Sequence, residues 1–294
     1  MIIAGLNGGL GNQMFQYANA RALAARKGVD FLIDASAYQW KNTHQGSEIT
    51  HIFDLPVGLA TKHDLARVLG PWMSPALCRL FYSRPFLGKL QKQWVSEPHF
   101  KYWDGLEQCP NDSYLFGYWQ SEKYFSDFQT LIRQDFRFRP FGDAQNIAMA
   151  AQIQGAKSAV SVHIRRGDFV KNPKSYAYHG VCPPDYYLRA LNFLRERGQA
   201  SELFIFSDDL EWVKSNIDLQ DYKTHYVDHN RGANSYQDMA LMSLCKHNII
   251  ANSSFSWWGA WLNAASDKIV IAPQNWFAKP INTRDLIPAS WMRM

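Results

Sequence analysis

Ser158-Ala159-Val160-Ser161-Val162-His163-Ile164-Arg165-Arg166-Gly167-Asp168 reads as a buried strand that ends in a burst of charge. Ala159 to Ile164 are mostly small, β-branched or apolar, which suits a central parallel strand. Two arginines and an aspartate follow within four residues. Ligands of open α/β sheets bind beyond the carboxyl ends of the strands, and a guanidinium presents a planar fork to phosphate. A phosphorylated ligand is therefore expected at this junction. An Arg-Arg pair taken alone serves equally well in surface ion pairs, so the rest of the chain has to decide.

A βα rhythm surrounds that stretch. Helical patterns at about 144–154, 184–197, 209–216, 235–246 and 256–265 alternate with strand-like runs at 158–164, 202–206, 224–227, 248–251 and 268–271. Such alternation means a parallel, doubly wound sheet. At the start of the chain, Ile2 to Gly5, a glycine loop, a helix with Met14, Ala18, Ala22 and Ala25 on one face, and Val29 to Ile33 form a second Rossmann-like beginning. Residues 113–118 are expected as a strand and 122–133 as a helix. Residues 36–110, punctuated by Pro and Gly, are expected as short helices and loops. The best boundary lies at 138–145. The expected fold is α/β, two Rossmann-like domains facing a central cleft, over residues 1–142 and 143–272. A tail, 273–294, is expected to pack back on the first domain.

The chain has 294 residues, 47% hydrophobic and 19% charged, enough to bury a full core. The net charge of +5 suits an anionic small ligand or an anionic membrane surface. The basic residues are scattered and form no helical stripe, so nucleic acid is not an expected partner. Cys78, Cys109, Cys182 and Cys245 are far apart, as expected of reduced thiols in a cytosolic protein. No leader is expected before Ile2, where a strand-like run begins at once, and no apolar run reaches the ~20 residues of a bilayer span. The expected location is cytoplasmic, with peripheral association at the inner membrane face left open. The eleven Trp are expected mainly in the core, a minority lining a sugar site.

Several strand ends carry chemistry. Side chains alternate along a strand, so His163 and Arg165 share a face and Arg166 points away. Arg165 is assigned to the ligand. Arg166 is assigned to support, through Asp168 or a neighbouring carboxylate. His163 is either a satisfied core histidine or reaches a base or phosphate. Of Asp208 and Asp209, one caps the next helix and the other is left for a ribose or base. Asn252-Ser253-Ser254-Phe255-Ser256 is either an N-cap box or a phosphate cradle at a helix start. Asp238 either stabilises a helix dipole or accepts from the N–H pair of a guanine. Gly8-Gly9-Leu10-Gly11-Asn12-Gln13 fits neither the dinucleotide fingerprint nor a P-loop. It is a plain tight turn, or a place where backbone approaches a ligand while Asn12 and Gln13 offer amides. No metal-ligand spacing occurs and no cofactor is expected, because Arg165 and a helix N-terminus can stabilise a diphosphate leaving group.

These motifs resemble, in order and over nearly the whole chain, the bacterial α-1,2-fucosyltransferases of glycosyltransferase family 11. The matching pieces are Gly8 to Ala18, Val162 to Asp168, Ser207 to Asp209, Asp238 to Met242 and Asn252 to Leu262. The resemblance implies a GT-B-like fold, GDP-β-L-fucose as donor, inversion at the anomeric carbon and no metal. It implies an acceptor side on residues 1–142 and donor binding on 143–272. Arg165 then takes the pyrophosphate role, His163 and Asp238 contact guanine, and Asp208 contacts the nucleoside. Asn252, Ser253, Ser254 and Phe255 form the phosphate-side segment, and Gly11, Asn12 and Gln13 face the donor from the first domain. The implied acceptor is a β-galactoside oligosaccharide, with a lipid-linked form left open. Asp168 and His179 are the base candidates. Their plainer readings are an orienter of Arg166 and a loop residue. The competing readings are a fucosyltransferase of another linkage and a non-catalytic GDP-sugar or glycan-binding protein.

Overall fold

In the computed structural model, the strand Ala159–Ile164 (β5) is buried along its whole length because both of its faces are covered. The structure describes residues 1–40, 45–70, 80, 81, 83, 84, 87 and 91–294, apart from the side chains of Trp40 and Asp168. Val160, Val162 and Ile164 join Leu203 and Ile205 of the next strand, Glu202–Ser207 (β6), in a core closed by Tyr187, Leu191 and Leu194 of the helix Pro184–Glu196. Ala159, Phe204 and Phe206 face the opposite way. There they meet Ala150 and Ile153 of the helix Ala144–Gly155 and Leu241 and Met242 of the helix Tyr236–Leu244. A strand of period two thus feeds two helical layers, which is why it carries apolar residues almost continuously.

Lys223–Val227 (β7), His247–Ile249 (β8), Val270–Ala272 (β9) and Met292–Arg293 (β10) complete this sheet. Its order is β10-β9-β8-β5-β6-β7 and its pairings are parallel. The chain runs outward from β5 through β6 to β7, then crosses back to lay β8 on the other side of β5. The direction of winding therefore reverses between β5 and β8, the switch point at which doubly wound sheets bind ligands. A second sheet holds Ile2–Gly5 (β1), Phe31–Asp34 (β2), Trp94–Ser96 (β3) and Ser113–Phe116 (β4) in the order β2-β1-β4-β3, again parallel. Its reversal lies between β1 and β4.

The chain divides into two units, Met1–Arg139 with Asn282–Leu286, and Pro140–Ile281 with Ile287–Met294. The tail is accordingly split and not a single segment. In the first unit the Asp285 carboxylate pairs with Lys123 at 2.6 Å, and its carbonyl accepts from the Ser121 hydroxyl at 2.6 Å. In the second, β10 extends the sheet beside β9. The short strands β3 and β10 carry too few residues to show a period. Residues 122–133 are two tight 3-10 turns, Glu122–Tyr124 and Ser126–Phe128, before a helix Gln129–Asp135. Two helices, Gly167–Lys171 and Pro173–His179, follow β5, so His179, for which a loop was the plainer reading, ends a helix. Trp257, Trp258 and Trp261 are buried and pack on one another, with Trp291 against Trp257. Cys109, Cys182 and Cys245 are free and buried, and Cys78 lies outside the described residues. Among the described residues no helix is long and apolar enough to cross a membrane.

Gly5 ends β1 where a Cβ would lie 2.5 Å from the Tyr114 hydroxyl oxygen, itself bonded to Asp34 at 2.7 Å. Gly5→Ala is expected to destabilise the chain by roughly 1–3 kcal/mol, as overpacking does, read from the denaturant midpoint.

Candidate active site

Parallel register brings the polar strand ends of the second unit together. Ile164 lies opposite Ser207, so the residues after β5 and β6 leave the sheet side by side. Arg165 Nη1 meets Asp208 Oδ2 at 2.8 Å, with the guanidinium about one-third exposed at 34%. The Arg166 backbone N–H donates to Asp208 Oδ1 at 2.9 Å. One carboxylate thus holds both the side chain of Arg165 and the turn that carries it. Gly167 is required by this closeness, since a Cβ there would collide with the Asp208 carboxylate. A guanidinium has five N–H donors, so a pairing with Asp208 is compatible with anion binding.

Arg166 points away from Arg165, as strand alternation requires. Its guanidinium sits 3.7 Å from the ring centre of Trp212 and donates to Asp209 at 3.2 Å. Asp209 also caps the helix Leu210–Asn216 through the Trp212 N–H at 3.3 Å. Of the expected supports for Arg166, Asp168 or a neighbouring carboxylate, the described residues supply the carboxylate of Asp209, with the Trp212 ring beside it. The backbone of Asp168 lies in the helix Gly167–Lys171, while its side chain is outside the described residues. Asp209 is the capping aspartate of the pair, and Asp208 is the one turned to Arg165.

Across the switch point, Ser253 caps the helix Ser254–Leu262, accepting from the Phe255 N–H at 3.3 Å. The Phe255 ring lies 5.9 Å from the ring of His163. His163 is buried, and its Nδ1 has no partner among the described residues. Burial, with a smaller push from Arg165, lowers its pKa to about 4 against the opposing pull of Asp208. A neutral imidazole has one donor and one acceptor, so this ring is suited to a hydrogen bond and not to an ion pair. Asn252 has a different task. Its amide donates to the carbonyls of His179 at 3.0 Å and Trp276 at 3.2 Å, and its oxygen accepts from the Cys182 thiol at 3.6 Å. It braces the loop and is consumed within the fold. His179 ends the helix Pro173–His179, stacked on Phe169 at 4.5 Å with an interplanar angle of 2°.

Asp238 lies in the first turn of the helix Tyr236–Leu244 and accepts from Asn230 at 2.8 Å. Asn230 and His229 in turn bond Asn146, which also holds Asp143. Burial pushes the Asp238 carboxyl up to about 7, against the Asn230 bond that lowers it. The link from Asn146 to Asn230 and the bracing of Arg166 by Asp209 and Trp212 were not visible in the sequence, because each joins residues far apart in the chain.

The glycine loop of the first unit is more committed than its sequence implies. Gln13 is fully buried and bonds the carbonyls of Gly8 and Gly46 and the N–H of Ile49. It ties the loop to residues 46–49. Gly11 is buried in the first helical turn. The Leu10 N–H donates to the Glu48 carboxylate at 3.1 Å. Asn12 accepts from Gln120 at 2.6 Å. Among the described residues no cluster of three or more His, Cys, Asp or Glu could hold a metal ion.

Two parallel-sheet α/β units, the second with a Rossmann-ordered sheet and a polar switch point, make the fold GT-B-like. NodZ alpha-1,6-fucosyltransferase from Bradyrhizobium, in crystals soaked with GDP-fucose, has a similar fold, with a TM-score of 0.53 at 15% identity over 89% of this chain and 91% of that one. The profile of glycosyl transferase family 11 matches residues 93–293. An alpha-1,2-colitosyltransferase of Escherichia coli is 32% identical over 100% of this chain and 99% of its own length. The human galactoside alpha-(1,2)-fucosyltransferase 1 is 27% identical over 90% of this chain and 66% of the human protein. The chain belongs to glycosyl transferase family 11.

A raised carboxyl pKa means the charged form is the costly one in the fold. Stability from Asp238 is therefore present below its ordinary pKa and lost as pH rises toward about 7. Asp238→Asn keeps an oxygen for Asn230 and removes that cost. Its melting temperature relative to the parent is expected to be higher at pH 8 than at pH 5.

Proposed function

We propose that the chain transfers L-fucose from GDP-β-L-fucose to the 2-hydroxyl of a terminal β-galactoside, with inversion and without a metal. The observation that carries the proposal is Arg165, held by Asp208 at the end of β5 beside the switch point of the second sheet, where the preceding His163 lies against Phe255 of the Ser253-capped helix. Support for the linkage comes from the α-1,2 designation shared by the fucosyl and colitosyl relatives. Support for the acceptor comes from the galactoside in the name of the human relative.

As the acceptor oxygen bonds to the anomeric carbon, the bond from that carbon to the β-phosphate oxygen breaks. The sugar passes through an oxocarbenium-like state, and negative charge grows on departing GDP. Arg165 and the N–H groups at the Ser254 helix start stabilise that charge. Neutral His163 and the Asp238 carboxylate hold the guanine edge, and Phe255 packs on the nucleotide side of His163. The hydroxyl proton passes to a base, for which Asp168 and His179 are the candidates.

The purified chain is expected to convert GDP-fucose and lactose to a product whose linkage analysis gives α-1,2. No transfer to any β-galactoside would sink the proposal. Arg165→Ala is expected to lower kcat/KM by about 10²–10³, the usual cost of losing an oxyanion donor, with the melting temperature held. Addition of EDTA is expected to leave turnover unchanged, and its abolition by EDTA would contradict the metal-free account.

A further inference from the structure

The first sheet has a switch point of its own, between β1 and β4, and its chemistry differs from that of the second. After β1 the chain enters the glycine loop, and after β4 it runs through Gly117, Tyr118, Trp119 and Gln120. Two amide bridges join these segments. Gln120 donates to Asn12 at 2.6 Å, and Gln16 accepts from the Asn7 N–H at 3.0 Å and donates to the Gly117 carbonyl at 3.0 Å. Gly8, at φ +78°, leaves room for the Asn12 amide, which lies 2.7 Å from where a Cβ would stand.

Glu97 follows β3, the neighbour of β4, and turns its carboxylate onto the same strand end. Its two oxygens accept from the backbone N–H groups of Tyr118 at 2.8 Å and Trp119 at 3.1 Å. Trp119 adopts φ +55°, a left-handed conformation uncommon outside glycine, and this turn aims both N–H groups at the carboxylate. The intervening side chain, Tyr118, is 42% exposed. Burial pushes the Glu97 carboxyl up to about 7 despite those two bonds. Its ionised form is therefore short of solvation, and further O–H donors would supply what water does not.

The charge pattern excludes a second phosphate seat. The helix start in this unit is already met by the Glu48 carboxylate. Among the described residues neither Glu48 nor Glu97 forms an ion pair with Lys or Arg. A carboxylate, an exposed aromatic face and paired amides are the groups that recognise an uncharged polyol ring. A carboxylate takes hydroxyl donors, and the ring covers the apolar face of a pyranose.

We propose that the end of β4 in the first unit is the acceptor-sugar subsite, where Glu97 accepts from hydroxyls of a neutral pyranoside, Tyr118 stacks on its apolar face and the Gln120–Asn12 pair lines the edge. This inference rests on the transferase reading above for the identity of that sugar as the galactoside acceptor. Glu97 is placed here as a binding and positioning group.

The experiment uses lactose as the probe and the full chain. Lactose binding is measured by saturation-transfer NMR in the presence of GDP, beside steady-state kinetics and GDP affinity, for the parent, Glu97→Gln and Tyr118→Ala. Both variants are expected to weaken lactose binding and raise its KM at least about tenfold, the cost of a hydrogen bond to a charged group or of a lost stacking face. GDP affinity and kcat at saturating lactose are expected to stay within about threefold of the parent. Because Glu97 also holds a turn, Tyr118→Ala tests the subsite even where Glu97→Gln unfolds. Lactose binding unchanged in folded Tyr118→Ala, or an equal loss of GDP affinity, overturns the inference. Lactose binding that depends on both residues in a chain that turns over no GDP-fucose upholds the subsite and rejects the transferase reading.

Discussion

The pairing of β5 with β6 in parallel register, Ile164 beside Ser207, is the constraint from which the site follows. It delivers Arg165 and Asp208 to the same height above the sheet, so that the ion pair forms without a long loop. It also sends Arg166 to the opposite side, where Asp209 and Trp212 receive it. A slip of one residue would exchange the two faces and bury the wrong arginine. The strand is held against such a slip by its two apolar cores, which demand Val160, Val162 and Ile164 on one side and Phe204 and Phe206 on the other. Core packing therefore sets the aim of the guanidinium.

Groups that are costly in the fold occur in both units. His163 is buried with an unmatched nitrogen, and Asp238 and Glu97 are carboxyls pushed up by burial. A fold selected for stability alone would satisfy or replace them. Perturbed groups of this kind cluster where ligands bind. The two switch points also divide the chemistry. The second sheet carries arginine and a capped helix start at its switch point, while the first carries carboxylates and amides and fills its helix start with Glu48.

Much of this was legible in the sequence because it is local. The apolar run from Ala159 to Ile164, the alternation that separates Arg165 from Arg166 and the capping residues Asp209 and Ser253 all depend on near neighbours. The strands Trp94–Ser96 and Met292–Arg293 were not legible, since two or three residues carry no period. Side-chain partners across the sheet were equally hidden. The carboxylate that receives Arg166, Asp209, stands 43 residues away in the chain. Asn252 and Gln13 looked like ligand groups because amides at strand ends often are. Their buried surroundings gave them carbonyls to bind instead. Glu97 escaped notice for the same reason in reverse, as its place beside Tyr118 exists only once β3 and β4 pair.

In the proposed reaction Arg165 holds the diphosphate of the nucleotide and nothing else of it. Calorimetric titration of GDP and of guanosine into the parent and Arg165→Ala tests this most directly. The account predicts that GDP binds the parent far more tightly than guanosine does, and that Arg165→Ala removes most of this difference while leaving guanosine affinity unchanged. A variant that keeps the full advantage of GDP, or that loses guanosine and GDP alike, would contradict it.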